Sequence, residues 1–198
     1  EMNAANADKA LADAIATAKS DLETAKTNAK SDGARATIAT AINALNNAKS
    51  LEDVANIKEE ALTSAEEDDN ELAGAIATAK ADLEAAKTEA VSDEAKAALD
   101  KAIENVEKAK NPGDVDFEKS AGTAAAANAD KTLADTISNF KNTLETAKND
   151  AKSDAAKAVY TNAIAALDNA KSMEAIETIV EGAEMNAANA DKALADAI

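Results

Sequence analysis

The chain has 198 residues, a formal net charge of -17, and no histidine, cysteine or tryptophan. Those absences exclude thiol and imidazole chemistry and most transition-metal sites. A surface this acidic repels phosphate backbones and anionic lipid, so nucleic acid is not expected as a partner. No apolar run approaches a membrane span, so membrane insertion is not expected either. Aromatics are only 2 % of the chain, and alanine-rich text with regular apolar spacing reads as helix throughout.

The first apolar stripe is Leu11, Ile15, Ala18, Leu22, Ala25 and Ala29, in alternating steps of four and three. That spacing predicts one face of a helix. The helix is expected to stop near Lys30, because Ser31 is a good N-cap and Asp32 puts a negative charge in the first turn of a new helix. The second stripe is Ile38, Ala41, Ile42, Leu45 and Ala48. Ser50 then caps a third helix, with Asp53 at the third position of a capping box. Its stripe is Leu51, Val54, Ile57, Ala61 and Leu62.

The same three-helix text then recurs with a period of 61: Leu11, Leu72, Leu133 and Leu194 mark it, as do Ser31-Asp32, Ser92-Asp93 and Ser153-Asp154. At the third helix start the copies use Ser50, Asn111 followed by Pro112, and Ser172. Proline suits the first helical position, where its missing N–H costs nothing. A fixed period of this kind marks an array of small modules. Three amphipathic helices joined by short turns make an up-down-up bundle. The expected fold is therefore all-α, a tandem array of three-helix bundles forming an elongated rod. The expected modules are 1–67, 68–128 and 129–189, with 190–198 opening a fourth.

Residues 1–15 are identical to residues 184–198, and the pattern is interrupted at Ile198, which corresponds to Ile15. Both ends read as cuts through a longer array. Between Leu51 and Ala90 there is no proline and only one glycine, Gly74. The third helix of one module is thus expected to run on into the first helix of the next. Gly122 and Gly182 mark places where the other joins can bend.

Candidate sites are few. The acidic cluster Glu66, Glu67, Asp68, Asp69 and Glu71 lacks the alternating loop that wraps calcium and lies in a predicted helix, so it reads as a solvated face. Phe140 and Tyr160 fall on stripes and read as core. Phe117 falls off the stripe, whose own position is Glu118. Either the helix rotates locally there, the favoured reading, or Phe117 is exposed as a possible partner contact. No base accompanies the abundant hydroxyls, so enzymatic activity is not expected, and neither catalytic, metal nor cofactor residues are assigned.

Residues 46–62 (NNAKSLEDVANIKEEAL) resemble the last part of the GA module, a three-helix albumin-binding unit of Gram-positive surface proteins. Residues 10–22 (ALADAIATAKSDL) are similar to FIVAR-type repeats of giant wall-anchored adhesins. The aromatic pair that GA modules present on helix 2 is replaced here by residues such as Ala41 and Ile42, so no binding residues carry over. The resemblance implies the repeated ectodomain of a bacterial cell-wall-anchored protein. The expected function is a structural stalk whose partners are neighbouring modules of the same chain. The alternative is a repeated module that binds host proteins, albumin or matrix, by avidity.

Overall fold

The computed structural model describes the backbone of residues 2–198 and the side chains of residues 5–198. Among the described residues the chain is all-helical, with seven α-helices: α1 (Met2–Asn28), α2 (Asp32–Ala44), α3 (Leu51–Glu89), α4 (Asp93–Lys108), α5 (Pro112–Asp150), α6 (Asp154–Leu167) and α7 (Met173–Asp196). A 3-10 turn, Leu45–Asn47, closes α2. The starts of α2, α4 and α6 are 61 residues apart, as are those of α3 and α5. The sequence period is thus also a structural period.

The helix starts follow the capping residues. Ser31, Ser92 and Ser153 each accept a hydrogen bond at Oγ from the backbone N–H three residues on, at 3.0 Å in every case. Ser50 accepts from Asp53 N–H at 3.0 Å, and Asn111 Oδ1 from Asp114 N–H at 2.9 Å. The Asp53 carboxylate reaches back to Lys49 N–H at 2.8 Å, one residue ahead of the cap. These bonds satisfy donors that a helix leaves unpaired at its N-terminus.

The long helices pass through the joins without a break. α3 and α5 are each 39 residues long and cover residues 63–70 and 124–131. Alanine-rich text of high helix propensity, free of proline past the first turn, carries the backbone hydrogen bonding across. The helices also run unbroken through Gly122 and Gly182. The expected module boundaries at 67/68 and 128/129 fall inside α3 and α5, so they mark the sequence period and not an interruption of the chain.

The chain forms two compact units, Glu1–Asp82 with Ile103–Lys119, and Leu83–Ala102 with Ser120–Ile198. In the first, Ala18, Leu22, Ala29, Ile38, Ala41, Leu45, Val54, Ala61 and Ala65 form a core with Leu11, Ile15 and Ile57 at its margin. The first two stripes therefore face this core as expected, with Leu11, Ile15, Ala25, Ile42 and Ala48 half-buried at its margin. The third is shifted: Leu51 and Leu62 are exposed and Ala65 is buried. Leu51 begins the helix before its face turns inward, and the inward steps then run 54, 57, 61 and 65. The second unit has an equivalent core of Leu133, Leu144, Leu167, Ile176 and Val180. Phe140 and Tyr160 pack against it, half-buried. Each fully buried leucine contributes about 1.5–3 kcal/mol.

Salt bridges recur with the period but stay exposed. Lys80–Glu107 and Lys141–Asp168 link equivalent helix pairs, and Lys19 makes the same approach to Asn46. Pairs of this exposure contribute between nothing and about 1 kcal/mol each.

Candidate functional site

The chemistry that repeats in this molecule lies at the joins. Three aspartates, one per join, hold the turn that precedes a short helix. Asp69 on α3 accepts from Ser31 N–H at 2.7 Å and Lys30 N–H at 3.1 Å. Asp130 on α5 accepts from Ser92 N–H at 2.7 Å, the Ser92 hydroxyl at 2.7 Å and Val91 N–H at 3.0 Å. Asp191 on α7 repeats this with Ser153 N–H and hydroxyl, both at 2.7 Å, and Lys152 N–H at 3.1 Å. The three serines are buried. Their amides would otherwise be orphaned beside the positive end of a helix dipole, where a carboxylate is favoured.

Each carboxylate is held below its ordinary value. Burial pushes Asp69 upward, but the hydrogen bonds from Ser31 and Lys30 outweigh it. Burial likewise raises Asp130, and the Ser92 hydroxyl and the Ser92 and Val91 amides overcome it. For Asp191 the Ser153 hydroxyl is the strongest influence. All three favour the ionised form because the donors address the charged oxygen.

A second contact ties successive repeats. The Asp32 N–H donates to the Lys110 carbonyl at 2.8 Å, and the Asp93 N–H to the Lys171 carbonyl at 2.8 Å. In each case the first amide of a short helix receives the turn that ends the next short helix. Lys30, Asp69 and Leu72 line one cleft with Ala109 and Lys110, so the turn sits against Leu72. Ala109 and Ala170, the alanines of these two turns, are buried.

This geometry redistributes the acidic cluster. Asp69 is a turn clamp, and Asp68 accepts from the Thr37 hydroxyl at 3.0 Å. Glu66, Glu67 and Glu71 are exposed. Among the described residues no group of three or more acidic or other metal-ligating side chains is placed to hold a metal ion. In the sequence the clamp role of Asp69 is hidden by the charge run around it. The signal was present in the period: Asp8, Asp69, Asp130 and Asp191 recur while the other cluster positions become Ala, Asn or Thr.

Phe117 is 69 % exposed, so the favoured expectation of local helix rotation does not hold. Register is kept by a polar substitution. Glu118 occupies the inward position and accepts from Asn105 Nδ2 at 2.8 Å. The equivalent pairs in the other repeats are Ala44 with Ile57 and Ala166 with Ile179. Asn105→Ala alone should destabilise by about 1–2 kcal/mol, because it strands the half-buried Glu118 carboxylate. The double change Asn105→Ala/Glu118→Ile should recover that loss or exceed wild type, as read by urea unfolding.

No protein-family model, curated protein or solved structure matches the chain. No helix among the described residues is long and apolar enough to cross a membrane.

Proposed function

We propose that the chain is a spacer: a tandem array of three-helix bundles that forms an elongated stalk and projects a terminal domain from a bacterial cell wall. The observation that carries this reading is the helix shared by successive repeats. Each 39-residue helix, about 58 Å at 1.5 Å rise per residue, serves as the last helix of one bundle and the first of the next. No flexible linker segment interrupts either helix. The clamps and turn contacts recur at the same period and tie each repeat to its neighbour. The extracellular, wall-anchored location belongs to the same proposal and rests on the resemblance to surface-protein repeats. Small-angle scattering at low protein concentration tests it. A rod-like distance distribution is expected, and a compact particle overturns it.

A second reading, repeated binding of a host protein such as albumin or a matrix component, is favoured by the exposed Phe117. Against it, the equivalent positions carry Asn56 and Thr178, so no such contact is shared between repeats. Capture of serum or matrix proteins by the full chain, lost on Phe117→Ala, would displace the spacer reading in its favour.

A further inference from the structure

We propose that each contact between successive repeats is selective for its own turn. The seat at the start of α2 fits the proline turn Asn111-Pro112, the seat at the start of α4 fits the amide-bearing turn Ser172-Met173, and residues 33 and 94 make the distinction. The two contacts share one frame, in which the Asp32 and Asp93 amides receive the Lys110 and Lys171 carbonyls, each at 2.8 Å. Each contact lies inside one compact unit. They differ at the next seat residue, Gly33 against Glu94, and at the first helical residue after the turn, Pro112 against Met173.

On α4 the Glu94 carboxylate accepts from the Met173 N–H at 3.3 Å. Met173 opens α7, so its amide has no acceptor within its own helix. A carboxylate at that point also meets the positive end of the helix dipole. The equivalent residue of α5 is Pro112, which has no N–H to give. A glutamate at position 33 would therefore find no donor on its turn. Glycine stands there instead, and another acid uses the space. A Cβ on Gly33 would lie 3.2 Å from Asp68 Cγ and 3.3 Å from its Oδ2. From this position Asp68 accepts from the Thr37 hydroxyl at 3.0 Å. In the second contact Ala98 and Ala129 replace Thr37 and Asp68, so the acid that crowds position 33 has no counterpart.

Four positions thus change together: Gly33, Thr37, Asp68 and Pro112 in one contact, Glu94, Ala98, Ala129 and Met173 in the other. The shape and charge of each seat agree with the presence or absence of one N–H on its turn. Selectivity of this kind combines an attraction to the right partner with a penalty against the wrong one. The attraction is that of Glu94 for the Met173 amide. The penalty falls on a glutamate at position 33, which would press on Asp68 and leave its own charge unanswered. For a spacer, matched contacts give successive repeats a fixed order; that consequence rests on the spacer reading, whereas the selection itself does not.

Two double-mutant cycles and a graft test this, read by urea unfolding and by amide exchange at Asp32 and Asp93. Met173→Pro is mild for the backbone. α5 already opens with proline, and Ser172, at φ -145 and ψ 160, is extended as a residue before proline must be. Glu94→Ala and Met173→Pro should be coupled about threefold in the folding equilibrium constant, the scale of one exposed hydrogen bond. Each alone should raise exchange at Asp93 and leave Asp32 unchanged. Gly33→Glu should be at least about fivefold more favourable in the Asp68→Ala background than in the wild type, a comparison from which helix propensity cancels. Pro112→Met should then gain about threefold in the Gly33→Glu/Asp68→Ala background relative to its effect in the wild type. Additive effects of Glu94→Ala and Met173→Pro overturn the proposal. So does Gly33→Glu acting alike with and without Asp68, or Pro112→Met acting alike in both backgrounds. None of these outcomes bears on the rod-like scattering that the spacer reading requires, so the two fail separately.

Discussion

Replacing Gly122 by valine should destabilise the protein by about 3 kcal/mol, the upper part of the range for overpacking a close helix contact. A Cβ placed on Gly122 would lie 2.2 Å from the Cβ of Ala102, with Leu83 Cδ2 at 3.7 Å behind it. The approach is between α5 and α4, both near their own backbones, so no flexible side chain can swing aside. Gly122→Ala should cost less, about 1 kcal/mol net. Its clash is partly offset by the higher helix propensity of alanine, worth about 1 kcal/mol. The equivalent pairs, Ala41 with Ala61 and Ala163 with Ala183, each bring two alanines into one buried cluster, so a methyl on either helix has a place in the other repeats. The reciprocal change Ala102→Gly/Gly122→Ala should therefore return near wild type. Thermal unfolding of the wild type, Gly122→Ala, Ala102→Gly and the double change gives the coupling directly. Additive losses would sink the account of Gly122 as a packing residue.

Asp130→Ala should destabilise by about 2 kcal/mol, from the loss of three hydrogen bonds tempered by partial solvent access. It leaves the fully buried Ser92 with an unanswered hydroxyl and amide at the start of α4. The effect should be pH-dependent with a definite sign. The folded protein holds this carboxyl below its ordinary value of 3.8, so the ionised clamp favours folding. Its contribution is complete above the unfolded value and is lost as pH falls through the lower folded one. Wild-type stability should begin to fall below about pH 5 and continue falling past the ordinary carboxylate value, with Asp69 and Asp191 acting in the same direction. In Asp130→Ala the slope between neutral and acid pH should be shallower. An unchanged slope in urea unfolding at a series of pH values would contradict the clamp.

Much of this fold could be read from text alone, and particular residues show why. Ser31, Ser50, Asn111 and Ser172 act on amides two or three residues away, so their effect is fixed by neighbours in sequence. Leu22 on the first stripe and Ile38 and Leu45 on the second are buried because period alone puts each set on one face of its own helix. The helical joins follow equally from what is missing, since nothing between Leu51 and Glu89 stops a helix. At Leu51 and Leu62 the same method failed, because composition could not tell Leu62 from Ala65 as the next inward step. Phe117 failed differently: an apolar residue was expected to seek the core, but Asn105 on another helix makes Glu118 acceptable there.

By itself, then, the sequence determined the helices, their caps, their period and the continuity of the joins, all governed by interactions within a turn or two. Tertiary structure alone decided which aspartate clamps which turn, which turn seats on which amide, and where two helices touch so closely that only glycine fits. Asp69 meets Ser31 across 38 residues, and Lys110 meets Asp32 across 78. Such pairs depend on how packed helices bring distant positions together, and no local pattern encodes that distance.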